Sequence, residues 1–514
     1  MPHAGTDDQS DVIAFLLTKA AYPVAAAISH IQTHGAHVFL CGAVALKIKR
    51  AVRFDYMDLS TLARRETMLR RELDLNRAAA PMIYRDVVPV TRGRDGQLAL
   101  DGDGPPVEWV LRMHRFAADC ELSAIAARGG LTDQIAETLG QVVQHYHATA
   151  PHRRQAGDRL IGDIIGELAR VLADFGRELG HDRIAAVLDR ARRSLADLAP
   201  TLRARSAAGH VRRAHGDLHL RNVVLIEGRP VLFDALEFDE RLGTCDVLYD
   251  LAFLVMDLCH RQFERQANMV LRAYLLAADG AEDAGLAALP LFLAVRAAIR
   301  AMVGVQTDRA TGSGDASGDE ARRYLAHAIR FLHPAPAVLI AIGGVSGTGK
   351  TALARDIAPM IGACPGAIHL RTDTERKARV AQPVYTAEAR ATVYRRMLDR
   401  ADTILAAGHS VVLDGTFLDP VQQAAAAALA TSLGRPFRGL WLGAPEATLV
   451  ARVTLRRGDA SDADAQVVRA QLAGQHPALG WTRIDASGPP QATRAAAGAA
   501  LAGFCGNDRR PAPP

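Results

Sequence analysis

The hydrophobic pattern changes along the chain and predicts a small sheet first, then helices, then alternating strands and helices. Two apolar runs, HVFL (37–40) and VALKIK (44–49), are joined by Cys-Gly-Ala, which is typical of a β-hairpin. A helix is expected over 59–77, and residues 130–310 are expected to be mostly helical. Within 161–175, apolar residues recur every three or four positions, the period of an amphipathic helix.

A second β pattern interrupts the helical region. NVVLI (222–226) and VLFD (231–234) flank the turn sequence Glu-Gly-Arg-Pro, so they predict another hairpin. The last third of the chain alternates apolar strands with helical stretches, which is typical of a parallel sheet. Its predicted strands are AVLIAIGG (337–344), AIHL (367–370), SVVLDGTF (410–417) and RGLWLG (438–443).

Breaks in composition predict the domain organisation. The Gly-, Ser- and Asp-rich stretch 311–320 is expected to be a flexible loop. Two prolines in HPAPA (333–337) precede a strongly apolar strand and mark the predicted boundary between domains 1–334 and 335–514. The tail, 507–514, is expected to be disordered.

Composition narrows the class of protein. The chain has 514 residues, of which 49% are hydrophobic and 23% charged, enough apolar material for two or three domains. A net charge of +5 is small for this length and does not by itself indicate nucleic-acid binding. Six cysteines form no CxxC pair, and the apolar runs are broken by Asp or Arg. We therefore expect a reduced, cytoplasmic protein without a membrane span.

A phosphate-binding loop begins the last third of the chain. The sequence GVSGTGKT matches G-x-x-x-x-G-K-[ST], follows a predicted strand and precedes a predicted helix. Its glycines let backbone N–H groups turn towards phosphate oxygens, the lysine reaches the β- and γ-phosphates, and the threonine hydroxyl can ligate Mg²⁺. The loop comprises Gly344, Val345, Ser346, Gly347, Thr348, Gly349, Lys350 and Thr351.

Charged residues downstream of this loop extend the candidate site. Asp373 follows a strand and is placed to orient an acceptor hydroxyl, while Arg371, Arg376 and Lys377 beside it suit an anionic substrate. Asp414 ends another strand, where a carboxylate can hold Mg²⁺ through water.

Two arginines complete the predicted P-loop site. Arg452 and Arg456 are four residues apart and share one helix face, as expected of a lid that stabilises transition-state charge. For the adjacent Arg457, a purely solvated position is an equal alternative. Residues 335–514 resemble the small P-loop kinases grouped with zeta-toxin-like and polynucleotide-kinase-like proteins. The resemblance depends on GGVSGTGKT, RTD, VVLDGTF and RVTLRRGDASDA.

The sequence HGDLHLRNVVL, from His215, predicts a second phosphoryl-transfer site. Asp217 and Asn222 have the Asp–x4–Asn spacing of a kinase-like catalytic loop, and the hairpin that follows ends at Asp234. Asp217 would take or orient the acceptor hydroxyl, and Asn222 and Asp234 would hold Mg²⁺ against the triphosphate. His215 is expected to brace the loop rather than to take part in the chemistry.

A kinase-like site also needs a strand lysine paired with a helix glutamate. Lys47 is the predicted lysine, with Lys49 on the same strand face as the alternate. Glu72 is the predicted partner, with Glu66 as the alternate.

These residues, with FDALEFDERLGTCDVLYDLAFLVMD, make residues 30–330 resemble the aminoglycoside phosphotransferase/choline kinase family. The whole chain is similar to two-domain bacterial proteins that join such a domain to a P-loop kinase-like domain. The resemblance implies a protein-kinase-like fold, with a small β lobe and a helical lobe, followed by a P-loop NTPase α/β/α domain. It implies Asp217 as the catalytic aspartate and Asn222 and Asp234 as metal ligands. Glu237 and Asp239 are then placed either to touch metal or substrate or to cap the next loop.

One departure from the kinase pattern is the absence of a GxGxxG loop before the lysine strand. The leading hypothesis is a bifunctional ATP- and Mg²⁺-dependent phosphotransferase acting on hydroxyl groups of small molecules. A regulatory protein with one non-catalytic nucleotide sensor domain is the first alternative. A nucleic-acid 5′-end kinase is the second, although no basic stripe studded with aromatic residues supports it.

Overall fold

The first part of the chain forms an antiparallel sheet. The computed structural model describes residues 7–23, 26–54, 57–311, 315–377, 386–455, 464–474 and 480–504. The first elements are α1 Ser10–Leu16, β1 Ile28–Gln32, β2 Ala36–Cys41, β3 Val44–Lys49, β4 Arg53–Phe54, β5 Met57–Asp58, α2 Leu62–Arg77, β6 Tyr84–Arg92, β7 Leu98–Leu100 and β8 Pro106–His114. Six of the strands pair in the order β1-β2-β3-β8-β6-β7. The predicted hairpin is β2–β3, and the predicted helix over 59–77 is α2, so both are confirmed.

The two faces of this sheet have different roles. Leu46 and Ile48 of β3 are fully buried against α1 on one face. The alternation of a strand therefore turns Lys47 and Lys49 to the opposite face, as predicted. On that face Leu69 of α2 packs against β6, β8 and the later hairpin. The sheet thus directs two lysines towards α2.

The middle of the chain is helical apart from short strands, as predicted. Its elements are α3 Leu122–Ala127, α4 Asp133–Thr149, α5 Gly157–Leu172, α6 Gly176–Leu179, α7 His181–Ala207, β9 Val211–Arg213, β10 Val223–Ile226, β11 Arg229–Leu232, α8 Glu240–Gly243, β12 Thr244–Asp246, α9 Val247–His260, α10 Glu264–Ala277, α11 Leu289–Thr311 and α12 Asp315–Phe331. The predicted second hairpin is β10–β11.

The flexible loop predicted over 311–320 is wrong for its second half, because α12 begins at Asp315. Ala321, Leu325 and Ala328 are buried at helical spacing, and α12 packs against α11. This burial outweighs the low helix propensity of Gly318.

One helical stretch, Asp283–Ala310, is long and apolar enough to cross a membrane. Within the protein, 67% of its most apolar window is buried. Arg296, which lies within this stretch, is itself buried. A buried core helix accounts for this pattern, as the sequence predicted.

The last part of the chain forms a parallel sheet with flanking helices. Its elements are β13 Leu339–Gly343, α13 Lys350–Ile357, β14 Ile368–Arg371, α14 Thr372–Lys377, α15 Ala387–Ala406, β15 Val411–Asp414, α16 Pro420–Ser432, β16 Phe437–Gly443, α17 Glu446–Leu455, α18 Ala465–Ala473, β17 Thr482–Asp485 and α19 Pro490–Ala500. The strand order is β14-β15-β13-β16-β17, and all the pairs are parallel. The predicted fold class is confirmed; β17 is an additional strand that the pattern did not predict.

The chain divides into two compact units, one of Met1–Gln155 with Ser206–Leu254 and the other of Ala156–Arg205 with Val255–Pro514. The second unit therefore contains helices of the kinase-like half as well as the parallel sheet. A boundary at residues 334 and 335 stays a prediction. The tail, 507–514, lies outside the described residues.

Candidate active sites

Two lysines share one buried glutamate in the first unit. Lys47 Nζ lies 2.7 Å from Glu72 Oε1, and Lys49 Nζ lies 2.6 Å from Glu72 Oε2. The Glu72 side chain is 0% exposed, so water cannot replace either lysine as the partner of its carboxylate oxygens. The alternate, Glu66, is 31% exposed and bonds only to Arg70 among the pairs described for it. The structure thus joins both candidate lysines to Glu72 and leaves Glu66 outside the cluster.

Asp234 joins this cluster in a strained conformation. Its Oδ1 lies 3.2 Å from Lys47 Nζ, and its φ of 60° lies in the left-handed region. Such backbone costs on the order of 1–3 kcal/mol and persists only where neighbours hold it. Here the Asp234 N–H donates to Tyr84 Oη at 3.0 Å, and the Ala235 N–H donates to Asn76 Oδ1 at 2.8 Å. Residues of α2 and β6 therefore fix the segment that carries the predicted metal ligand.

Lys49 extends the same network to Glu237, whose carboxylate it contacts directly. Glu237 is 9% exposed, so it is a buried member of the cluster. Asp239 instead caps α8, because its side chain accepts the N–H of Arg241 at 2.7 Å. Of the two alternatives predicted for Asp239, the structure thus supplies the cap.

The catalytic-loop candidates meet at the hairpin. Asn222 Nδ2 donates to Asp217 Oδ2 at 3.0 Å and to the Asp217 carbonyl at 2.9 Å. The Asn222 carbonyl accepts the N–H of Phe233 at 3.1 Å, and Phe233 directly precedes Asp234. Asn222 is therefore hydrogen-bonded to Asp217 and to the residue that precedes Asp234, and a shared metal site of the three stays a prediction. Asp217 and Asp234 are 41% and 45% exposed, so a ligand can reach both carboxylates.

A buried aspartate braces this loop. Asp250 is 0% exposed and accepts the N–H groups of His215 and Gly216 at 3.1 and 2.8 Å. His147 Nε2 lies 3.1 Å from the same carboxylate. His215 Nε2 donates to the Phe233 carbonyl at 2.9 Å, which agrees with its predicted bracing position. The sequence analysis missed Asp250, although an acid inside the apolar run VLYDLAFLVMD is a detectable signal.

Charge pairing shifts the pKa values of the cluster. Burial opposes the charge on Lys47, but three nearby carboxylates outweigh it and raise the Lys47 pKa well above its usual value. Burial also opposes the charge on Glu72, yet the two lysines lower the Glu72 pKa to about 2. Burial lowers the pKa of His215, which keeps its imidazole neutral. These pKa shifts keep Lys47 and Glu72 charged and His215 neutral at neutral pH.

The strand register adds an apolar surface beside Lys47. Val38 of β2 is directly opposite Lys47, and Ile31 of β1 is opposite Val38, so the three share a face. Ile31 is 48% exposed, unusual for a large apolar residue next to a charged cluster. The β1–β2 connection is held by Arg50, which donates to the carbonyls of Thr33 and His34 at 3.0 Å each. This short connection occupies the position where the kinase pattern has a glycine-rich loop.

The phosphate loop has the expected conformation. Gly344 and Gly347 adopt φ values of 135° and 89°. A Cβ at Gly344 would lie 2.4 Å from the Leu442 carbonyl oxygen, so only glycine fits there. Lys350 starts α13 and its Nζ donates to the Val345 carbonyl at 3.0 Å. The loop therefore combines inward-turning backbone with a helix N-terminus, the arrangement that binds phosphate.

Asp414 lies beside the last residue of this loop. Thr351 Oγ1 donates to Asp414 Oδ2 at 2.6 Å, and His369 Nε2 lies 3.1 Å from the same oxygen. Asp414 is 2% exposed, and burial would raise its pKa, but His369 and other partners lower the Asp414 pKa to about 2. Burial lowers the pKa of His369, so a neutral ring donates to a charged carboxylate. The pair fits the predicted arrangement for Mg²⁺ bound through water.

Asp373 lies in the first turn of α14 between two arginines. Arg371 Nη2 and Arg376 Nη2 lie 3.0 and 2.8 Å from its two carboxylate oxygens. The same turn is anchored by Glu375, which accepts from Arg400 at 2.6 Å. The side chain of Lys377 lies outside the described residues. The structure thus brings the candidate base and two candidate anion-binding groups together.

Arg452 donates to the carbonyls of Ala486 and Gly488 at 2.7 and 3.0 Å. It therefore supports the loop after β17, and contact with a transition state stays a prediction. Arg456 and Arg457 lie outside the described residues.

Metal binding by protein groups alone is not indicated. Among the described residues, no group of three or more His, Cys, Asp or Glu side chains is arranged to hold a metal ion. Mg²⁺ in phosphoryl-transfer sites takes one or two carboxylates together with substrate phosphates and water. The oxygen atoms of Asn222 and Asp234 fit that kind of site in the kinase-like half. Those of Thr351 and Asp414 fit it in the P-loop half.

Comparison with known proteins agrees with the two folds. Residues 60–289 match the phosphotransferase enzyme family, and residues 339–478 match an AAA domain. Uncharacterized proteins of Mycobacterium tuberculosis (strain H37Rv) and Mycobacterium bovis are 28% identical over 495 residues, covering 89% of this chain and 92% of theirs.

Solved structures resemble each half separately. A choline/ethanolamine kinase family protein from Mesorhizobium loti is 18% identical and covers 62% of this chain and 99% of its own, with a TM-score of 0.38. A gluconokinase from Sinorhizobium meliloti is 20% identical and covers 33% of this chain and 94% of its own, with a TM-score of 0.27. The predicted resemblance is confirmed by the two family matches, in which a phosphotransferase enzyme family match precedes an AAA domain match along the chain.

Proposed function

We propose that this protein is a bifunctional ATP-dependent phosphotransferase, in which each half moves a γ-phosphoryl group to a hydroxyl of a small molecule. The observation that supports the proposal is the presence of two nearly complete phosphoryl-transfer arrangements in one chain. Lys47, Glu72 and Asp234 form one charged cluster, and a full phosphate loop contacts Asp414 in the other.

In the kinase-like half, the exposed apolar face at Ile31 and Val38 receives the adenine, and Lys47 binds the phosphates. Asp217 accepts or orients the acceptor hydroxyl proton, because its carboxylate is exposed and its position is fixed by Asn222. Mg²⁺, held by Asn222 and Asp234, would neutralise charge on the triphosphate.

In the P-loop half, the loop N–H groups and Lys350 bind the β- and γ-phosphates, and Asp373 orients the acceptor hydroxyl. Arg371 and Arg376 flank Asp373, which favours an acceptor that carries an anionic group. Mg²⁺ would be held by Thr351 and, through water, by Asp414. A phosphorylated product of the first half has the chemistry to be such an acceptor, so the two transfers can be successive.

The protein is expected to act in the cytoplasm, where ATP and reduced thiols coexist. None of the described cysteines forms a disulfide bond, which is compatible with that compartment. The partners of this proposal are small-molecule hydroxyl acceptors rather than membranes or nucleic acid.

The test measures ADP formation by the full chain against a panel of hydroxylated metabolites, both neutral and phosphorylated. Asp217→Ala and Lys350→Ala should each lower acceptor-dependent turnover by about 10²-fold or more, with different acceptors affected. Asp402→Asn and Lys19→Ala, at exposed positions, are the matched controls. Unchanged turnover in both site variants would refute the proposal, and Mg-ATP binding without transfer to any acceptor would favour a nucleotide sensor.

A further inference from the structure

Two cysteines that form no disulfide bond lie side by side in the second compact unit. Cys259 is the penultimate residue of α9, and Cys364 lies in the loop that leads into β14. Their Sγ atoms are 3.2 Å apart, although the residues are 105 positions apart in sequence. A disulfide bond is about 2.05 Å long, so the sulfur atoms need to approach by only about 1.1 Å.

Contacts around the pair hold the two segments together independently of the thiols. Asn268 Nδ2, in the next helix, donates to the Ala367 carbonyl at 2.9 Å, three residues beyond Cys364. Arg265 Nη1 lies 2.8 Å from Asp356 Oδ1, on the other side of the loop. Asn268 is 3% exposed, so its hydrogen bond is protected from water. These contacts hold α10, the helix that follows α9, against the chain on both sides of Cys364.

The two thiols differ in access. Cys259 is 1% exposed, whereas Cys364 is partly exposed. The hydrogen bond with Cys364, together with burial, raises the pKa of Cys259, so Cys259 stays a thiol at neutral pH. An oxidant from solution therefore reaches Cys364 first, and Cys259 is the neighbouring group that can resolve the product.

We propose that Cys259 and Cys364 are a redox modification site, at which a hydroperoxide drives formation of a reversible disulfide. The Cys364 sulfur attacks one peroxide oxygen, so that an S–O bond forms and the O–O bond breaks. The Cys364 thiol proton goes to the departing oxygen, which leaves as an alcohol, or as water if the peroxide is hydrogen peroxide, and Cys364 becomes a sulfenic acid. The Cys259 sulfur then attacks the Cys364 sulfur, the S–S bond forms and the S–O bond breaks. The departing hydroxide takes the Cys259 proton and leaves as water.

The disulfide would fix a functional segment. β14 begins four residues after Cys364, carries His369 and leads directly to Asp373. Oxidation would covalently attach the loop before this strand to α9 and restrict its movement. Reduction by a dithiol would restore the free pair. The modification itself does not depend on the proposed phosphotransferase activity.

The experiment exposes the full-length reduced protein to hydrogen peroxide, blocks remaining thiols with an alkylating agent and maps disulfides by mass spectrometry. The expected result is one linked peptide pair containing Cys259 and Cys364, a loss of two hydrogen atoms from the intact mass, and reversal by dithiothreitol. Cys364→Ser and Cys259→Ser should each abolish the link, and Cys259→Ser should leave a sulfenic acid at Cys364 that dimedone traps.

Cys245→Ser and Cys120→Ser are matched controls, because Cys245 is a buried free thiol and Cys120 a partly exposed one. Both variants should retain the link. Recovery of Cys259 and Cys364 as two alkylated thiols after oxidation of the others, or further oxidation of Cys364 without a link, would overturn the proposal. Because mapping of the unsubstituted protein alone distinguishes these outcomes, a folding defect in one variant does not affect the test.

Discussion

The main-chain N–H of Asp234 donates a 3.0 Å hydrogen bond to the phenol oxygen of Tyr84, 150 residues earlier in the chain. Asp234 has φ 60°, so this bond helps to hold a conformation that the residue does not favour. Burial raises the pKa of Tyr84 well above its usual value, which keeps the phenol neutral. The predicted metal ligand is thus positioned by a side chain from β6.

Tyr84→Phe removes this acceptor and leaves the Asp234 N–H without it. We expect the affinity of the kinase-like half for Mg-ATP to fall by roughly 5- to 100-fold, because an unsatisfied buried donor costs about 1–3 kcal/mol. Titration calorimetry with Mg-ATP provides the measurement. Tyr324→Phe, a buried tyrosine in the second unit, is the control and should bind normally. Equal affinity in the two variants would show that Tyr84 does not position Asp234.

Glu72 is expected to matter for stability far more than Glu66, although both lie on α2. Glu72→Gln leaves a buried Lys49 and a partly buried Lys47 without their shared carboxylate, so the free energy of unfolding should fall by about 3–5 kcal/mol. Glu66→Gln removes one exposed ion pair and should change the free energy of unfolding by less than about 1 kcal/mol. Urea denaturation of both variants tests this difference, and similar losses would contradict the paired cluster.

The low pKa of Glu72 predicts that the free energy of unfolding decreases at acidic pH. Its pKa falls from 4.5 to about 2 on folding, so the unfolded chain binds more protons between those values. Stability should therefore be complete above about pH 5 and decline by roughly 3 kcal/mol as pH falls towards 2. Urea midpoints at several pH values measure the slope. In Glu72→Gln the slope should be smaller, and an unchanged slope would contradict the assignment.

Gln471 of α18 occupies one backbone N–H group of the P-loop. Its Oε1 accepts the Ser346 N–H at 2.7 Å, and Val345 packs against Leu449 and Val468 of α17 and α18. A phosphate oxygen that takes this N–H must displace Gln471. Gln471→Ala should therefore raise the affinity of the P-loop half for ATP by roughly 2- to 10-fold, the worth of one hydrogen bond.

Fluorescent-nucleotide titration of a Lys47→Met background isolates this effect in the P-loop half. Gln491→Ala, exposed on α19, serves as the control and should bind as the background does. Weaker binding in Gln471→Ala would mean that Gln471 supports the nucleotide instead of competing with it.

Local patterns predicted the motifs well because the chemistry lies in short segments. The phosphate loop and the Asp217–Asn222 spacing each lie within about eight residues, and period-2 alternation placed Lys47 and Lys49 on one face. The sequence could not choose between the lysines, because both bond to Glu72. The alternation of residues indicates on which face of a strand a side chain lies, but it does not indicate which helix packs against that face.

The supporting residues could not be found this way. Tyr84, Asn76 and Asp250 act through hydrogen bonds to residues far along the chain, and no local period marks them. Arg400 similarly bonds Asp283 and Glu375, which are 117 and 25 residues away. The error at 311–320 has the same origin, since burial of α12 against α11 decided its conformation. Helix propensity depends on the segment alone, whereas tertiary contacts decide the conformation and the role of these residues.

The most direct test of two nucleotide sites is the stoichiometry of a non-hydrolysable ATP analogue with Mg²⁺, measured by titration calorimetry on the full chain. Two molecules should bind per chain, and Asp234→Asn and Lys350→Ala should each remove a different one. A stoichiometry of one, or loss of the same site in both variants, would contradict the account.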